Sequence, residues 1–166
     1  PIIQDSSSIL NGLDISAYHD FSEDLIGSLK FHARAISGVD DDVRLTNRLY
    51  IPRSRLRGFN TYKVGPKDGG DYIGGNYTTT IGAEAQLPNI LPETYKTDVS
   101  LFLDTGNVWG VDYSESIEET NTIRSSVGIA TNIYTTIGPL SFTLAQDLSK
   151  APNDETETFN FRLGTS

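Results

Sequence analysis

The sequence predicts an all-β chain of the antiparallel transmembrane β-barrel class. Three observations carry this: apolar residues alternate with small or polar ones over segments too long for ordinary strands, helical periodicity is almost absent, and tight turns alternate with long acidic loops. A chain of 166 residues suits one domain with a real core. The net charge of -9, with 13 scattered Lys and Arg, excludes a phosphate-binding surface, so no nucleic-acid partner is expected. No run reaches the roughly 18 to 20 apolar residues of a spanning helix. A hydrophobic content of 37% looks soluble until one considers that a barrel strand shows lipid only every second residue. The lack of Cys leaves the compartment open, and a start at Pro1 rather than Met predicts a processed chain or a fragment of a longer one.

Seven strands are expected, at about 9–20, 26–38, 76–87, 97–109, 122–137, 140–148 and 158–166. The first has Leu13, Ile15 and Ala17 alternating with Asp14 and Ser16. In the third, Ile81, Ala83, Ala85 and Leu87 alternate with Gly82, Glu84 and Gln86, and in the fourth Val99, Leu101 and Leu103 alternate with Ser100, Phe102 and Asp104. The fifth places Val127, Ile129 and Ile133 on one parity and Arg124, Ser126, Gly128 and Asn132 on the other. At about 3.3 Å per residue its length approaches 50 Å, which suits a tilted strand crossing a bilayer. Leu140, Phe142 and Leu144 mark the sixth strand, and Phe159, Phe161 and Leu163 the last. Tight turns fall at Ser22-Glu23-Asp24 and Gly138-Pro139, a connection of intermediate length at 88–97, and long loops at 39–75, 110–121 and 149–157. Bacterial barrels normally have an even number of strands, so seven implies open edges and further strands elsewhere.

The loop 39–75 is too long for a connection without its own role. It holds Arg55-Leu56-Arg57-Gly58-Phe59, then Val64-Gly65-Pro66-Lys67-Asp68, then Gly74-Gly75-Asn76. Downstream come Phe102-Leu103-Asp104-Thr105-Gly106-Asn107-Val108-Trp109, Ile123-Arg124-Ser125-Ser126-Val127-Gly128-Ile129-Ala130 and Ile137-Gly138-Pro139-Leu140. In order and spacing, from about residue 48 onward, this series resembles the BamA family of bacterial outer-membrane assembly factors (bacterial surface antigens). Residues 1–47 are placed by alternation alone.

The resemblance implies that the chain supplies about the last seven strands of a sixteen-strand barrel in the bacterial outer membrane, with upstream strands and periplasmic polypeptide-transport-associated domains outside it. It implies an activity that is not enzymatic: folding and inserting other β-barrel proteins. Partners would be unfolded outer-membrane protein clients, outer-membrane lipids, and accessory lipoproteins bound through the periplasmic domains. It further implies that the loop folds into the barrel and that Arg57, in the Leu56-Arg57-Gly58-Phe59 motif, pairs with Glu84 and Asp104 on the inner wall; strand parity independently puts both carboxylates on the polar face. The last strand, with Phe159, Phe161 and Leu163, would form a gate against the first. The family usually ends in Phe or Trp at what would be position 167, one residue beyond Ser166.

Two alternatives accompany this reading. One is a translocation or secretion barrel of the same superfamily, and the other, of a different class, is a soluble lipocalin-like ligand-binding barrel, disfavoured because the polar faces carry the smaller residues. No catalytic constellation, cofactor or metal site is expected. His19 and His32 lack ligand spacing and read as structural. Asp40-Asp41-Asp42 and Glu118-Glu119 read as solvated loop charge rather than a calcium loop. Gly69-Gly70 and Gly74-Gly75 precede no helix and hold no phosphate.

Overall fold

The computed structural model describes residues 7–39, 47–111 and 122–164. Seven antiparallel strands form one sheet in the order β1-β2-β5-β6-β7-β8-β9. They are β1 (Ser8–Ser22), β2 (Leu25–Gly38), β5 (Tyr77–Leu87), β6 (Thr97–Trp109), β7 (Arg124–Thr135), β8 (Gly138–Ser149) and β9 (Phe159–Leu163). Between β2 and β5, β3 (Lys67–Asp68) and β4 (Asp71–Tyr72) make a small hairpin within the long loop. Every pairing in the large sheet joins neighbours in that order, and β1 and β9 are its edges.

The two faces of the sheet invert the distribution of a soluble protein. Leu101 and Leu103 are 47% and 45% exposed, whereas Phe102 and Asp104, the residues after each leucine, are 2% and 1% exposed. Ile81, Val127, Ile129, Leu144, Phe159 and Phe161 also lie exposed on the outward parity, while Thr78, Thr80, Ser100, Arg124 and Ser126 are buried on the other. Water would penalise such an outer surface at about 25 cal/mol per Å² of apolar area, whereas bilayer hydrocarbon would not. At the long-loop end of β5 and β6, Tyr77 and Trp109 stack with ring centroids 5.7 Å apart, an amphipathic pair of the kind found at membrane interfaces.

The short connections lie at one rim. The Glu23–Asp24 turn is joined to the β5–β6 connection, where the Asn89 amide donates to the Glu23 carbonyl at 3.1 Å and to the Asp24 carboxylate at 2.8 Å. At the β7–β8 hairpin the turn residues are Thr136 and Ile137, not Gly138 and Pro139 as expected from composition. Gly138 (φ 121°) and Pro139 instead open β8, opposite Thr135 and Tyr134. Proline lacks an N–H, but a strand's first residues tolerate that loss. The fifth predicted strand, 122–137, accordingly contracts to Arg124–Thr135.

On the inner face lies the long loop. Ile51, Leu56, Phe59 and Val64 from the loop form a buried cluster with Val108 of β6. The hairpin of β3 and β4 turns at Gly69 and Gly70, both at positive φ and exposed, with nothing within 4 Å of where a side chain would begin. Asp40-Asp41-Asp42 and Glu118-Glu119 lie outside the described residues.

Candidate functional site

Arg57 reaches the inner wall from the loop, and its guanidinium faces two strands at once. Nε donates to Asp104 Oδ2 at 2.7 Å and a terminal nitrogen to Asp104 Oδ1 at 2.9 Å, a two-pronged fit of fork to carboxylate. The other terminal nitrogen donates to Glu84 Oε2 at 2.7 Å. The Arg57 amide adds a fourth bond, to Asp104 Oδ2 at 3.0 Å. Glu84 and Asp104 can converge because Gly82 pairs with Asp104 across β5 and β6, leaving Glu84 one same-face step along β5.

Below the guanidinium lies Phe102, whose ring centroid is 3.8 Å from the Arg57 Cζ. A desolvated cation over an aromatic face gains from the ring quadrupole. Phe102 therefore belongs to the site, a role that its polar-parity position hinted at and that its apolar character concealed. Ser126 of β7 donates its hydroxyl to the Arg57 carbonyl. Arg57, Glu84 and Asp104 have side chains 19%, 17% and 2% exposed, so the cluster borders lumenal space. Burial works against the charge of Arg57, but the hydrogen bonds and charge of Asp104, joined by those of Glu84, outweigh it and hold the pKa above the ordinary arginine value.

Gly58 follows at φ 90°, and a Cβ there would come 2.7 Å from the Ala145 Cβ of β8. Only glycine combines that backbone with that proximity. Its neighbours Leu56 and Phe59 are buried in the loop's apolar cluster. One residue further back, Arg55 extends to Asp14 of β1 at 3.6 Å. Residues 55–58 thus meet β1, β5, β6, β7 and β8, the arrangement of a sheet curled around what it encloses.

His32 lies buried on β2 with Nδ1 2.6 Å from Asp14 Oδ1, and Arg34 pairs with the second oxygen of the same carboxylate. His19 points the other way and packs edge-on against Phe21, ring centroids 4.7 Å apart. The structure thus separates the two histidines onto opposite faces. Phe159, Phe161 and Leu163 are exposed on the outward face of β9, opposite Leu144, Phe142 and Leu140 of β8. They lie on the other face from Arg57.

A second ion pair was not anticipated. Arg124 of β7 holds Asp154 of the β8–β9 connection, Nε to Oδ2 at 2.6 Å and a terminal nitrogen to Oδ1 at 3.1 Å, with both side chains 1% exposed. Asp154 carries no local signal that separates it from the other acidic residues of its loop.

Comparison with known proteins agrees with this geometry. The model of the Omp85 superfamily domain matches residues 3–166. The outer membrane protein assembly factor BamA of Neorickettsia risticii is 30% identical over 147 residues, covering 86% of this chain and 20% of that protein. BamA of Neisseria meningitidis is 30% identical over 138 residues, covering 67% of this chain and 17% of that protein. The chain therefore spans about a fifth of the length of these relatives. Among solved structures, Haemophilus ducreyi BamA lacking POTRA domains 1-3 superposes with a TM-score of 0.81 at 24% identity, over 93% of this chain and 34% of that one. Outward leucines, a buried arginine-carboxylate seat and a sheet that follows a solved barrel thus meet in one polypeptide, and the chain belongs to the Omp85 superfamily.

Proposed function

We propose that this chain is the carboxyl-terminal part of a bacterial outer-membrane barrel that folds and inserts other β-barrel proteins, and that the loop carrying Arg57 is seated in its lumen as a working part of that machine. The observation that carries the reading is the Arg57 seat. A loop guanidinium bound by two carboxylates from different strands and stacked on Phe102 is an organised fit rather than a solvated charge. The similarity to proteins named as assembly factors supports the same reading.

The client would be an unfolded outer-membrane protein, recognised by its backbone. An edge strand offers unpaired N–H and C=O groups, and an incoming strand can pair with them. β9 suits that role because it is an edge of the sheet, paired on one side only, with β8 over Phe159–Leu163. Its outward Phe159 and Phe161 pack with Phe142 and anchor it on the lipid side. The free energy of client folding drives insertion without a nucleotide. Accessory lipoproteins would act through periplasmic domains.

The test is a charge-swap rescue in the full-length parent protein, with outer-membrane protein levels as the readout. Arg57→Glu and Asp104→Arg each lower those levels, and the double variant restores part of the loss. If both single variants are silent, the lumenal seat has no working role. If the levels of a secreted passenger fall while resident barrels are unaffected, the chain serves a translocation barrel instead.

A further inference from the structure

The connection from β8 to β9 is bound to the loop by backbone hydrogen bonds, which no motif specifies. The Glu157 amide donates to the Gly58 carbonyl at 2.8 Å, the Asn60 amide to the Glu155 carbonyl at 3.0 Å, and the Glu155 amide to the Lys63 carbonyl at 3.1 Å. Phe59 and Thr156 face each other as an antiparallel bridge. Residues 155–157 thereby add a short strand to residues 58–63. The next carbonyl, of Thr158, accepts from the Ala145 amide at 2.8 Å, and β9 begins at Phe159. The residue after Arg57 is therefore bonded directly to a residue two positions before the terminal strand.

Asp154 fixes where that added strand starts. Its carboxylate accepts two bonds from Arg124, one from the Ala151 amide at 2.9 Å and a longer one from the Gly65 amide at 3.5 Å. Four donors occupy all the acceptor sites that a carboxylate offers. Arg124 in turn donates to the Asn107 side chain of β6. The pair has one positive and one negative charge and is closed to water, so neither partner can leave without exposing the other to an uncompensated environment. Asp154 thus ties the wall at β7, the loop at Gly65 and the approach to β9 to one point.

We infer that Arg124 and Asp154 are a positioning pair for the terminal strand, coupling the seat of the loop over 58–65 to the entry of β9. With the pair intact, β9 can part from its partner only by hinging beyond Glu157 or by taking the loop with it. The consequence for client insertion rests on the assembly reading; the coupling itself does not.

The experiment uses the full-length parent with Asp154→Asn, which keeps the size, replaces one acceptor oxygen by an N–H donor and removes the charge that Arg124 needs. Amide hydrogen exchange in lipid nanodiscs is read beside outer-membrane protein levels in cells, with Arg57→Glu as comparator. Expected is a loss of protection of about tenfold or more confined to 58–65 and 155–163, with β5 and β6 unchanged, together with lowered outer-membrane protein levels. Arg124→Lys, which keeps the charge but loses the fork, gives the same local pattern in milder form and serves if Asp154→Asn does not accumulate. Protection lost evenly over all strands would make the pair a general stabiliser and overturn the inference. Normal protein levels despite the local exchange change, with Arg57→Glu still defective, would overturn its functional half. If both variants leave levels normal, the assembly reading fails, and the exchange pattern alone decides the coupling.

Discussion

Two arginines hold carboxylates on the inner side of this sheet, and they do so under opposite conditions. Arg57 shares two carboxylates in a cluster that is partly open to the lumen and has one more negative than positive charge. Arg124 has one carboxylate in a site sealed from solvent, with charges balanced. Charges that are partly hydrated can separate at modest cost because water replaces the lost partner, whereas a sealed pair has no substitute. Separating the first pair therefore costs less than separating the second. That difference matches their locations, since Arg57 rides on the loop and Arg124 on a membrane-spanning strand.

The contrast can be broken by substitution, beginning with the sealed pair. Asp154→Ala strands the Arg124 guanidinium and should lower the unfolding free energy by about 3 to 5 kcal/mol, measured by urea titration of the full-length protein in bilayers. Arg57→Lys keeps the charge but loses the fork, and a loss of roughly 1.5 to 3 kcal/mol is expected for its charged hydrogen bonds; limited proteolysis within the loop should rise in parallel. Phe102→Leu removes the stacking partner, costs about 0.5 to 2 kcal/mol, and in a double-mutant cycle should couple to Arg57 but not to Arg124. Glu84→Gln has the smallest effect, under about 1 kcal/mol, because Asp104 alone still balances Arg57. It should also flatten the salt dependence of loop seating, and a salt dependence equal to that of the parent would show that the cluster's excess charge does not govern its release.

The seven long strands were readable because alternation and turn chemistry repeat locally, and each was placed within two or three residues wherever the structure describes its ends. The meeting of Arg57 with Glu84 and Asp104 was readable because the family resemblance implies that pairing and strand parity independently puts both carboxylates on the polar face. Other features left no such trace. Hairpin strands of two residues, Lys67–Asp68 and Asp71–Tyr72, are too short to alternate, and their Gly69-Gly70 turn resembles any glycine-rich loop. Asp154 pairs with Arg124 across 30 residues of chain, a distance over which composition carries no information about proximity. Gly128 was read only as a small residue of the polar parity, yet a Cβ there would lie 2.1 Å from the Leu144 carbonyl and 2.7 Å from the Phe102 ring. Its smallness makes room for the ring under Arg57, a requirement visible only once β6, β7 and β8 lie side by side.

The open tip of the loop hairpin offers a practical handle. Gly69 and Gly70 are exposed, and the space beyond their α-carbons is vacant, so a short epitope inserted between them should be tolerated, as insertions at exposed loop tips commonly are. Because the same loop carries Arg57, antibody accessibility of such a tag in living cells would report the position of the loop.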